Sequence, residues 1–262
     1  MRPFVTTLAV LATVLALAAC SDPATAGGSL LPALPAGIDP VVDHPGCVVT
    51  DVTFDDDVTI PTGAICTFTR VTVEGNVAVA PNASLAFAGG LIDGNLLVYR
   101  SASVDLSDAV VKGNVQGERS ADVVVRAGTE VDGDVQVERG QGVVRVLDSR
   151  VKGNVQVDET FGPIEVRDAF VDGDVQGDDN AGAIVVLAST VAGNVQLKQN
   201  DGAIDVSDNT VDGDVQLEEN TGGVDVFDNV IDGNLQCSSN AAPIDGARNV
   251  VGGNKEGQCA AF

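Results

Sequence analysis

A Gly-Asn or Gly-Asp pair returning at a fixed interval constrains this chain more than any other feature. The pairs are Gly75-Asn76, Gly94-Asn95, Gly113-Asn114, Gly133-Asp134, Gly153-Asn154, Gly173-Asp174, Gly193-Asn194, Gly213-Asp214, Gly233-Asn234 and Gly253-Asn254, spaced by 19, 19 and then 20 residues. A degenerate copy, Phe54 to Val58, stands 19 residues ahead of Val73 to Val77. A constant period of this size marks a solenoid, in which each repeat buries its apolar face only by stacking on the next.

The contents of one repeat decide which solenoid. Between Val171 and Thr190 short alternating pieces, Asp174 to Gln176 and Ile184 to Val186, followed by Val191, are divided by Gly, Asn and Asp corners, and no stretch carries a helical period. Leucine-rich, ankyrin and tetratricopeptide repeats need helices or Leu frameworks that are missing, and a left-handed hexapeptide helix needs a multiple of six. The expected fold is therefore all-β: a right-handed parallel β-helix over residues 47–262, with three short strands per coil, about 20 residues per coil and roughly eleven coils.

Columns read at the repeat interval support this. Val111, Val131, Val151, Val171, Val191, Val211, Ile231 and Val251 form one; Val115, Val135, Val155, Val175, Val195, Val215 and Leu235 a second; Val124, Val144, Ile164, Ile184, Ile204, Val224 and Ile244 a third. Stacked ~4.8 Å apart, they become aliphatic ladders filling the cylinder. The composition agrees, with 3% aromatic residues, no Trp and 30 Gly. The Gly of each pair is expected at a corner that demands positive φ or close approach. Asn180, Asn200, Asn220 and Asn240 read as an inward amide ladder, with solvated turn residues as the alternative.

Two outward columns invite functional readings. Gln116, Gln136, Gln156, Gln176, Gln196, Gln216 and Gln236 could offer a flat sugar-binding face, but an amide ladder along stacked strands is the preferred account. Lys112, Asp132, Lys152 and Asp172 alternate in sign, Ala192 is a neutral spacer and Asp212 over Asp232 is the one stacked like-charge pair, while Asn114, Asp134, Asn154, Asp174, Asn194, Asp214 and Asn234 alternate in charge; both columns suit register and solubility.

The N-terminus reads as an address. Arg2 precedes an apolar run from Phe4 to Ala16 that is short for a bilayer span, and Leu17-Ala18-Ala19-Cys20 matches the bacterial lipobox, so 1–19 is expected to be a lipoprotein signal peptide with Cys20 acylated. Residues 20–46 form a tether carrying Pro23, Pro32, Pro35, Pro40 and Pro45. The whole chain has 38 acids against 14 bases, a net charge of -24; cleavage removes Arg2 and leaves 13 bases, hence -25. Nucleic acid is excluded as a partner because phosphate needs clustered Lys and Arg. The membrane is expected to be met through acyl chains alone, since so acidic a surface avoids anionic lipid.

Beyond Cys20 four cysteines remain. Cys47 and Cys66 lie one coil apart, and Cys237 and Cys259 lie 22 residues apart, so local disulfides are expected at both ends of the solenoid.

The Val-x-Gly-Asn-Val-Gln coils, the opening Pro61 to Cys66 and the ending Gly233 to Cys237 through Gly253 to Cys259 resemble secreted right-handed β-helix proteins of high-GC Gram-positive bacteria. The resemblance spans Cys47 to Cys259 and implies an extracytoplasmic protein without established activity; it lends no catalytic residues. More distantly the coils are similar to bactofilins, although lipobox and cysteines argue against a cytoplasmic filament.

Catalysis finds little support in the residues. The only His, His44, lies in the tether, outside the β-helix, so Ser-His and Cys-His systems are not expected there. Asp158-Glu159, Asp178-Asp179 and Glu218-Glu219 read as a solvated acidic edge rather than as a glycosidase pair or a calcium site. No cofactor and no metal site are expected. The functional expectation is a non-catalytic rigid spacer or interaction module, lipid-anchored at the outer face of the cell membrane, with a cell-wall polysaccharide or a protein as partner. A cell-wall carbohydrate-active enzyme or binder and an acidic cation-binding surface protein are the alternatives.

Overall fold

The computed structural model describes residues 46–262 except position 242. The signal peptide, Cys20, the tether and His44 lie outside the described residues.

The described chain is a parallel β-helix. Three parallel sheets of eleven strands each run from the first coil to the last, and every strand except the last of its sheet pairs with the strand three positions later in the sequence. One coil shows the plan. Ile184–Leu187 belongs to the first sheet, Thr190–Val191 to the second and Val195–Lys198 to the third. Each turns alternate side chains inward: Ile184 and Val186, then Val191, then Val195 and Leu197, all buried. A strand of four residues places two side chains in the core and a strand of two places one, because successive side chains point to opposite faces. β-Branched residues suit this because their stiff χ1 costs little on a pleated surface. Toward the N-terminus the inward positions hold larger side chains, and Phe54, Phe68 and Phe87 stack with ring centroids 6.1 and 6.2 Å apart.

One sequence expectation needs correction. In the first sheet Val123, not Val124, pairs with Val144 and is buried, while Val124 faces outward and pairs with Arg145. The reason is a shift between corners: the turn after Val137 gains one residue relative to the turn after Gly117, and the turn after Val146 loses one relative to the turn after Val125. The total stays near 20, so the Gly-Asn register hides a slip that period-2 alternation makes decisive for one strand. Ile244, at the end of the same column, is only half-buried.

The repeated glycines take the second of their two expected roles. None of those preceding Asn or Asp has positive φ; a Cβ on Gly173 would lie 2.4 Å from Asn154 Oδ1 and 2.7 Å from the Gly153 carbonyl oxygen, so close approach is the whole requirement. Positive φ falls instead on non-glycine corner residues, among them Asp179 at 54° and Asp208 at 57°. Short polar side chains tolerate this left-handed region better than β-branched ones.

Both ends are clamped. Cys47 and Cys66 are register partners in the first sheet and form a disulfide with Cα atoms 4.5 Å apart. Cys237 joins Cys259 across 5.3 Å. At the C-terminal end Phe262 packs where Gly246 leaves the inward position without a side chain, and Gln258 closes the Asn column by accepting from the Asn240 backbone N–H and donating to the Asn240 carbonyl.

Candidate functional site

Side-chain ladders occupy the corners, and they remove several columns from functional candidacy. Asn180 accepts from Thr160 N–H, donates to the Val157 carbonyl and to Asn200 Oδ1, and the pattern repeats at Asn200, Asn220 and Asn240. The inward amide ladder is thus what the structure contains. A second ladder, Ser189, Asn209, Asn229 and Asn249, does the same at the next corner. The sequence reading missed it, although the 20-residue spacing of Asn209, Asn229 and Asn249 carried the signal. Each of these side chains satisfies backbone groups that a buried corner would otherwise strand.

The Asn/Asp alternation after each glycine is a ladder too. Asn154 N–H and Nδ2 donate to Asp134 Oδ1 at 2.7 and 3.1 Å, and Asp174 N–H donates to Asn154 Oδ1 at 2.9 Å. Asn above Asp supplies an amide donor to a carboxylate, whereas Asp above Asp would stack like charges. Charges in the neighbouring column pair across coils, as Lys152 does with Asp132 at 2.7 Å. Arg150 takes Asp172 at 2.7 Å.

The third sheet carries what remains. Its outward Gln column is hydrogen-bonded from Gln116 through Gln216, each Nε2 donating to the next Oε1 at 2.7 to 3.2 Å. Beside it runs Glu118, Glu138, Asp158, Asp178, Lys198, Glu218 and Ser238 in strand register. Between the two columns lies a groove of about 360 Å3 lined by Asp158, Gln176, Asp178, Gln196, Lys198 and Glu218 among others.

This column regroups the acid pairs seen in the sequence. Asp178 and Asp179 are sequence neighbours but not site neighbours: Asp178 ends a strand at the groove, while Asp179 turns through positive φ and is exposed. The carboxylates brought together are Asp158 and Asp178, from adjacent coils, and the Asp178 N–H donates to Asp158 Oδ1 at 3.3 Å. Burial, opposed by that hydrogen bond and reinforced by Asp178, Glu138 and Glu159, pushes Asp158 up to about 6. Burial also raises Asp178, with Asp179 adding to it and Lys198 opposing. Asp178 Oδ1 is enclosed without a hydrogen-bond partner among the described residues. The reading of these acids as a uniformly solvated edge is therefore corrected for Asp158 and Asp178, which the groove partly desolvates. A carboxyl poised near neutral pH can give or take a proton, but the pair sits on one strand column and not on opposite walls of a cleft. Among the described residues no group of three or more His, Cys, Asp or Glu side chains is arranged to hold a metal ion.

Fold and surface together define a parallel β-helix repeat protein with end-clamping cysteine pairs. Compared with protein-family models, curated proteins and solved structures, the chain matches none of them.

Proposed function

We propose that the protein is a lipid-anchored, extracytoplasmic β-helix that acts as a rigid surface spacer or interaction module without catalysis. The observation that supports this best is uniformity. Eleven coils of nearly equal length, locked by three kinds of side-chain ladder, make a rod roughly 50 Å long at ~4.8 Å per coil, with no long insertion among the described residues to wall a cleft. A rod that spends its polar side chains on coil-to-coil bonds is stiff along its axis, which is what a spacer requires. The lipobox cysteine, Cys20, supplies the anchor and the Pro-rich segment after it the distance from the lipid.

The test is metabolic labelling with a fatty-acid analogue, followed by fractionation. Wild type is expected in the membrane fraction and labelled; Cys20→Ala is expected to be unlabelled and released. Wild-type protein that is already soluble and unlabelled would refute the anchor. The groove beside Asp158 and Asp178 favours a second reading, a carbohydrate-active surface. Release of reducing ends from a polysaccharide panel, lost in Asp178→Asn, would replace the non-catalytic reading by that one.

A further inference from the structure

Nine of the fourteen Lys and Arg residues lie between Arg100 and Arg167, so the strongly acidic field of the chain is weakest over these coils. Within this stretch one corner, between the third sheet and the first, has an unusual composition. Arg119 and Arg139 stand one above the other: the Arg119 N–H bonds to the Glu138 carbonyl and the Arg139 N–H to the Asp158 carbonyl, each at 2.9 Å. Both turn through positive φ, at 52° and 55°, which carries their side chains around the corner. With Gln141, Glu159, Thr160, Phe161, Asp179 and Ala181 they line a groove of about 330 Å3.

Three details separate this groove from an ordinary charged corner. The Arg119 guanidinium is half-buried and has no ion-pair or hydrogen-bond partner among the described residues, although the chain carries 38 acids. Arg139 gives one nitrogen to Glu118 and Glu138, at 3.2 and 2.8 Å, while its enclosed Nε finds no hydrogen-bond partner among the described residues. Phe161 is 64% exposed, in a column where the neighbouring coils place Gln141 and Ala181. Gln141 is held back by donating its amide to the Arg139 carbonyl, and Ala181 is too short to cover a ring. An aromatic ring left open beside an unpaired guanidinium suits a ligand that has both an apolar face and an anionic group.

We propose that this corner binds an anionic sugar, with its carboxylate or phosphate held by Arg119 and Arg139, its ring laid on Phe161, and its hydroxyls donating to Glu159 and Asp179. The two acids select for a sugar over an acidic peptide: carboxylates beside the arginines accept hydroxyl protons but repel a second anionic group. The assignment deepens the interaction-module reading by naming its ligand class, and it requires neither the lipid anchor nor the groove on the third sheet.

Isothermal titration of the full chain in about 0.15 M NaCl tests it, with a glucose trisaccharide whose central unit is oxidised to glucuronate, maltotriose carrying one 6-phosphate, neutral maltotriose and triglutamate as probes. The expected result is saturable binding of one of the two anionic glycan probes, the responding arm telling carboxylate from phosphate, with maltotriose and triglutamate at least tenfold weaker. Arg119→Gln and Phe161→Ala are each expected to weaken binding by tenfold or more with an unchanged melting temperature, since neither side chain holds the fold. Absence of saturable binding by both anionic glycan probes, equal binding of triglutamate, or full affinity in Arg119→Gln overturns the proposal. Such a failure leaves the spacer and anchor intact, and a soluble, unlabelled wild type leaves this site intact.

Discussion

Asp158→Asn makes the energetic cost of the groove measurable. Burial, with the carboxylates of Asp178, Glu138 and Glu159, moves the Asp158 carboxyl from its usual 3.8 up to about 6. A folded pKa above the unfolded one means that the native state holds the proton more tightly. Between 3.8 and about 6 this residue's contribution to stability therefore falls as pH rises, and above about 6 the full cost of ionisation is present. At 1.36 kcal/mol for each tenfold, the displacement is worth at most ~3 kcal/mol. Partial exposure and solvent screening reduce that to about 1 to 1.5 kcal/mol. Asn keeps an oxygen for the Asp178 N–H and adds an amide that can donate to the Asp178 carboxylate. The variant is thus expected to melt about 3 to 5 °C above wild type near pH 8 and level with it near pH 4. Thermal denaturation followed by circular dichroism across this range checks it. The many exposed acids shift both proteins alike, so the informative quantity is the difference between the two curves, which should rise between pH 3.8 and about 6 and stay level above that. A flat difference curve, or a variant less stable at every pH, would show that Asp158 is not the desolvated carboxyl described here.

Other perturbations address the scaffold. Asn200→Ala removes an amide bonded to the Gly177 carbonyl and Asn220, and an acceptor for Asn180, so chemical denaturation should report a loss of about 3 to 5 kcal/mol; a loss under 1 would contradict a buried ladder. Replacing both Cys47 and Cys66 by Ser should cost about 2 to 4 kcal/mol, with hydrogen exchange rising in the first two coils and not in the last. Non-reducing peptide mapping should recover Cys47 with Cys66 and Cys237 with Cys259, and a Cys47 to Cys237 link would break the stacking argument. NaCl and CaCl2 at equal ionic strength should raise the melting temperature about equally, because screening alone relieves repulsion in so acidic a rod; saturable micromolar calcium binding would move the protein into the cation-binding class.

The repeat by itself determined most of this protein's architecture. A 20-residue period with alternating Val places the same residue at the same station in every coil, so the Val111 and Val115 columns, the Asn180 and Gln116 ladders and the Cys47–Cys66 register could all be read from spacing. Stacking converts sequence period directly into spatial contact, which few folds allow. What only the tertiary structure decided lies where the period is silent. The slip that puts Val123 and not Val124 in the core arises because one corner gains a residue while another loses one, and the period reports only their sum. The assignment of close approach to Gly173 and of positive φ to Asp179 depends on the backbone of the preceding coil. Asp158 and Asp178 share a groove, and Asp178 and Asp179 do not, because desolvation is a property of the surface around a carboxyl and not of its neighbours along the chain.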